Sequence, residues 1–137
     1  MELQQKAKRY TNGLIPPYGG ELKNLIVKDK NFKNDLISKV AYEFECSERN
    51  ACDVELLMVG AFSPLEGFMD ENNYKSVIKN NRDANGLLFG LPIVFDSNNE
   101  KVKAGDTILL TYKKQKIAVL EVSSKWEPDK SLVAELC

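Results

Sequence analysis

Histidine is missing altogether from the 137-residue sequence. No imidazole is therefore available as general base, proton shuttle or metal ligand. A Ser-His-Asp triad, a Cys-His pair and a His-ligated zinc site are all excluded. Cysteine is scarce as well. Cys46, Cys52 and Cys137 form an odd set, and none of their spacings resembles a metal knuckle, so no metal site is expected. An odd count without a signal peptide points to a reducing cytosol and hence to a cytoplasmic protein. Residues 1–13 (MELQQKAKRYTNG) lack the apolar stretch of a secretory signal. No apolar run approaches the ~20 residues that span a bilayer, which removes the membrane as a partner. Neither sign of charge dominates: 19 basic and 20 acidic side chains leave a net −1. That balance gives no electrostatic footprint for a nucleic-acid backbone. The densest basic cluster, Lys113, Lys114 and Lys116, falls at an expected hairpin tip and reads as a solvated turn. Glycine signatures that cradle phosphates, Gly-x-x-x-x-Gly-Lys-Ser/Thr and Gly-x-Gly-x-x-Gly, do not occur, so no cofactor-binding residue is expected.

What is present fits one α+β domain. The length suffices to bury roughly two-thirds of the unfolded surface, and 43% apolar with 28% charged residues argues against disorder. Leu14-Ile15-Pro16-Pro17-Tyr18-Gly19-Gly20 must be extended and then turn sharply, because two prolines fix φ and two glycines permit a reversal. Leu22 to Val27 reads as helix or strand without a decision between them. Phe32, Leu36, Ile37 and Val40 recur at helical spacing and predict a helix over about 31–43. Ser47 is the expected N-cap of a second helix. Ala51, Cys52, Val54, Leu57 and Met58 give it a wide, deeply buried apolar stripe, and Gly60 ends it. Asp70 is expected to cap a third helix with Tyr74, Val77 and Ile78 inward. After the Asn85-Gly86 turn, Leu87 to Phe95 suits a bent or edge strand, since Gly90 and Pro92 interrupt it. Thr107–Tyr112 and 116–122 predict a hairpin joined by Lys113-Lys114-Gln115. Pro128 opens a last helix whose Leu132, Val133 and Leu136 need a partner surface.

The densest constellation is Gly60-Ala61-Phe62-Ser63-Pro64-Leu65-Glu66-Gly67-Phe68-Met69. Pro64 pushes Ser63 out of the α region, Gly67 permits a second reversal, and the large apolar side chains are expected to plug the loop into a core. Ser63 as a nucleophile lacks any histidine to act as its base, so the run is read as structural. Asp53 and Glu55 lie two apart on the second helix, point to different faces, and do not make an acid/base pair. Asp53 is expected instead to pair with Arg49 four residues earlier. Cys52 reads as a small core hydrophobe and Trp126 as a core or interface anchor.

The run from Cys52 to Met69 closely resembles the amino-terminal domain of ATP sulfurylase (sulfate adenylyltransferase), with its Gly-Gly-Phe-Ser-Pro-Leu-x-Gly-Phe-Met pattern. Leu14 to Gly20 is similar to the family's opening Pro-His-Gly-Gly segment. Arg82 to Phe89 with Leu91-Pro92-Ile93, and Trp126-Glu127-Pro128-Asp129-Lys130, follow in the family's order. The resemblance runs from about residue 14 to 130. Tyr18 stands where relatives often carry His, and Ala61 where Gly is usual.

What the resemblance implies is a PUA-like β-barrel with several flanking helices. Residues 1–13 would be an extension, 14–127 the PUA-like domain, and 128–137 the start of a linker or helix toward a catalytic domain. The implied enzyme joins sulfate to the α-phosphate of ATP, forming adenosine 5′-phosphosulfate and pyrophosphate. The family's catalytic Gln-x-Arg-Asn-Pro and Gly-Arg-Asp-His segments do not occur in this sequence. ATP and Mg would be handled by that catalytic domain, and no catalytic residue carries over to this chain. Gly60, Phe62, Ser63, Pro64, Leu65, Gly67, Phe68 and Met69 are expected to be a structural motif. The expected partners are the catalytic domain of the same enzyme and further copies of it. The alternative is a stand-alone PUA-like domain that binds RNA or a protein, an analogy of fold alone.

Overall fold

A computed structural model describes residues 15–131 and residue 134. The helices start where short polar side chains can accept orphan amides. Asp29 accepts from Asn31 N at 2.8 Å and Phe32 N at 3.1 Å, starting α1 (Lys30–Ser38). Ser47 accepts from Asn50 N and starts α2 (Glu48–Val59). Asp70 accepts from Asn73 N and starts α3 (Glu71–Asn80). Such caps satisfy donors that the first turn cannot pair. Gly60 closes α2 at φ 86°, and its amide reaches the Leu56 and Leu57 carbonyls. On α3 the buried residues are Tyr74, Val77 and Ile78, as the spacing predicts.

Where α1 stops is a correction. The helix ends at Ser38, not 43, and Tyr42–Glu45 is a strand, β1, whose residues alternate half-buried and exposed. Val40 keeps helical spacing by coincidence. Parallel pairing of β1 with β2 (Thr107–Tyr112), Tyr42 beside Ile108 and Phe44 beside Leu110, claims the segment instead. Tertiary pairing of this kind overrides local propensity. No residue of α1 is buried.

β2 and β3 (Gln115–Glu121) form the expected hairpin, with the strand beginning one residue earlier than predicted. Lys113 and Lys114 alone make the loop, at φ 48° and 63°. Two left-handed residues match the twist of the flanking strands. Among the described residues the regular sheet has three strands in the order β1-β2-β3. The predicted strand over 87–95 is irregular: its ladder contacts are a bridge between Arg82 and Leu88 and single bonds such as Met69 N to Ile93 O at 2.7 Å. Gly90 and Pro92 deny it a continuous ladder. Residues 22–27 likewise form no regular element, although Leu25 N donates to Met58 O.

The core lies between α2 and the sheet. Cys46, Ala51, Val54 and Leu110 are buried together, with Phe44, Phe68, Phe95 and Leu120 packed against them. Phe95 stands edge-on to Phe44 at 5.2 Å and tilted to Phe68 at 5.4 Å, favourable aromatic geometry. Trp126 is half-buried, its ring 5.3 Å from that of Tyr74. A helix begins at residue 130, but Leu132, Val133 and Leu136, on which its partner face was predicted, lie outside the described residues. Among the described residues no helix is long and apolar enough to cross a membrane. Among the described residues, α1, α2 and α3 with a mixed sheet make the fold α+β.

Candidate functional site

The two most distinctive segments of the sequence meet in space. Residues 15–26 form a strap that crosses the end of α2 and the loop after it. Gly20 N donates to Pro17 O at 2.9 Å, closing a turn with Gly19 at φ 76°. A Cβ on Gly19 would lie 2.8 Å from the Pro64 side chain, so strap and loop touch where only glycine fits. At Gly60 the fit is as close: a Cβ there would meet Leu22 at 2.8 Å and the Lys23 carbonyl at 2.9 Å.

Ser63 is the hook. It is 6% exposed; its hydroxyl donates to Gly60 O at 2.6 Å and accepts from Lys23 N at 2.9 Å. Both hydrogen-bonding capacities are committed to backbone, so the hydroxyl has the bonding of a structural cross-brace. Lys23 Nζ lies 2.9 Å from Glu66 and 3.3 Å from Glu21. The hydrogen bond to Glu66, then that to Glu21, raises its pKa above the usual lysine value.

The remaining motif residues divide. Met69 is buried and Phe68 packs on the core, as predicted. Phe62 and Leu65 are only half-buried and lie outside that core cluster, so the plug is partial. The chain bends at 66–68 as expected, but Gly67 takes an ordinary φ and has open space where a Cβ would stand, so the bend does not require glycine.

Cys52 corrects the predicted stripe, since it is exposed. At 100° per residue it leaves the inner line of Ala51, Val54 and Leu57 and joins an outer line with Leu56 and Val59, themselves 40% and 53% exposed. The buried thiol is Cys46, and burial, then the charge of Glu45, raises its pKa. Among the described residues no Arg49–Asp53 ion pair forms; the i,i+4 pairs are Asp35–Lys39 and Glu71–Lys75. Asp83, to which the sequence assigned no individual role, is buried: its Oδ1 accepts from Asn85 N and Leu87 N at 2.9 Å each. The signal was an aspartate two residues before Asn85, a side chain that mimics a backbone turn. A polar recess lies at the start of α3, lined by Asp70, Glu71, Asn72, Ser123 and Ser124. Its two carboxylates suit it poorly to a polyphosphate.

Outward, the strap junction is apolar. Tyr18 and Leu22 are each 51% exposed, and Ile15 and Ile26 flanking them are exposed too. Tyr18 donates its hydroxyl to Leu88 O at 2.8 Å and stands edge-on to Phe89, bringing exposed Leu88 alongside and Leu91 within three residues of it. With Leu56 and Val59, eight of the nine large apolar side chains exposed among the described residues belong to segments that meet here or flank the meeting point; Phe32 on α1 is the ninth.

The chain belongs to the PUA-like domain family, whose profile matches residues 15–137. It resembles the amino-terminal domain of ATP sulfurylase. The chain is 40% identical over 129 residues to the sulfate adenylyltransferase of Neurospora crassa, covering 88% of this chain and 22% of that protein. To the sulfate adenylyltransferase of Candida albicans it is 34% identical over 134 residues, 87% of this chain and 25% of the relative. Among solved structures, the hexameric APS kinase from Thiobacillus denitrificans matches with a TM-score of 0.73 and 29% identity, over 85% of this chain and 24% of that one. The chain thus spans about a quarter of the length of these proteins.

Proposed function

We propose that this chain is the amino-terminal, non-catalytic domain of a sulfate adenylyltransferase, acting as a scaffold for the part that performs the chemistry. The observation that carries the reading is the 40% identity to such an enzyme, with nearly the whole of this chain engaged. Joining sulfate to the α-phosphate of ATP with loss of pyrophosphate needs cations aimed at the transferring and leaving phosphates. The residues brought together here are of another kind. Ser63 is tied to backbone, Lys23 is bridged by two glutamates, and the polar recess is acidic. On this reading ATP, Mg and sulfate belong to the remainder of the enzyme, in the cytoplasm, with residues 128–137 leading toward it and with assembly into oligomers as a further role.

The test is a pyrophosphate-release assay on the purified chain with ATP, Mg and sulfate. No turnover above buffer is expected, and sulfate-dependent turnover would overturn the reading. A salt-sensitive mobility shift with RNA would replace it by the RNA-binding alternative.

A further inference from the structure

We infer that the apolar face around the strap junction is the surface that seats against the remainder of a sulfate adenylyltransferase polypeptide, an inference that rests on the function proposed above. Soluble monomers seldom gather exposed apolar side chains in one place unless something covers them. Here Tyr18, Leu22, Val59 and Leu88 are each more than half exposed, on segments that touch one another. The face is also preformed. Ser63 fastens the strap to the motif loop, and Gly19 and Gly60 let the backbones close on it. A surface held in this way loses little conformational freedom on docking.

The chemistry of the face selects its occupant. Lys23 beside the face is already bridged to Glu21 and Glu66, and Arg82, paired with Leu88, donates to the Gly86 carbonyl, so phosphate or nucleic acid finds little to hold. An apolar protein surface with a polar rim fits instead. The relatives carry this stretch as 21–26% of their length. Their copies of the domain are joined to a much longer polypeptide, which is the partner always at hand, and contacts between domains of one chain typically bury about 600–1,500 Å².

The experiment places this chain, whole, in the Neurospora crassa enzyme in exchange for the segment it matches. The unsubstituted hybrid is expected to melt in one transition and to release pyrophosphate. Val59→Asp and Leu88→Asp should each split that transition in two and lower pyrophosphate release, while leaving the melting of the isolated chain as it was. Phe32→Asp, on the exposed side of α1, should change neither. If the two substitutions leave the hybrid intact, or only Phe32→Asp splits it, the face is wrongly assigned although the function stands. An unsubstituted hybrid that neither melts as one unit nor turns over removes the proposed function and this inference with it. A dimer of the isolated chain that Val59→Asp dissociates would make the occupant a second copy and overturn the assignment.

Discussion

Gly60→Ala is the sharpest perturbation of the strap junction. Gly60 sits at φ 86°, a conformation that costs a residue with a Cβ about 1–2 kcal/mol. The added methyl would also stand 2.8 Å from Leu22 Cδ1 and 2.9 Å from the Lys23 carbonyl oxygen. The leucine can swing aside, but the carbonyl moves only if the strap moves, and that strains the bond from Lys23 N to Ser63 Oγ. Losing such a bond costs a further ~1–2 kcal/mol. Gly105→Ala is the matched control: φ is 95°, yet nothing lies within 4 Å of the new methyl, so only the backbone cost of about 1–2 kcal/mol applies. At roughly 4 °C per kcal/mol for a domain of this size, Gly60→Ala should melt about 4–8 °C below Gly105→Ala by circular dichroism. Amide exchange at Lys23 should quicken in Gly60→Ala alone. Equal melting temperatures for the two variants would refute the packing of the strap on the end of α2.

Ser63→Ala removes the donor to Gly60 O and the acceptor for Lys23 N, and should cost ~1–3 kcal/mol in urea unfolding; a variant as stable as wild type would show the hydroxyl is no brace. Phe68→Ala, which empties a site against Phe95, should cost ~2–4 kcal/mol, whereas Phe62→Ala, outside the core cluster, should cost no more than about 1.5 kcal/mol. Equal losses would contradict that division. The Thr111 hydroxyl, donating to Glu45 at 2.6 Å, is the main cause holding that carboxyl below its usual range. Because the folded value is depressed, the stabilisation is present above the unfolded pKa and fades as pH falls through the folded one. Thr111→Val should therefore move the Glu45 midpoint upward in an NMR carboxyl titration, and an unmoved midpoint would count against the bond.

Features with a local cause were legible in the sequence. Ser47 and Asp70 announced their helices because a cap acts within three residues, and Gly60 announced an end because φ is a property of one residue. The inward set on α3 followed from a single clean period. Features that depend on distant partners were not legible. β1 looks like the continuation of α1 until its parallel neighbour, more than sixty residues away, is known. Cys52 seemed to belong inside because the apolar stripe was wide; which part of a wide stripe faces inward is decided by what packs there. Both signature segments were visible, but the bond that joins them spans forty residues, from Lys23 to Ser63, and no spacing reveals it. The family likeness was legible at once, because long runs of particular residues carry more information than period or propensity.

The central claim is that the 137 residues support a chemistry they do not themselves perform. Calorimetric titration of the purified chain with MgATP, and separately with sulfate, tests it most directly. The expected result is no saturable heat with either; tight, stoichiometric uptake of nucleotide or sulfate would contradict it.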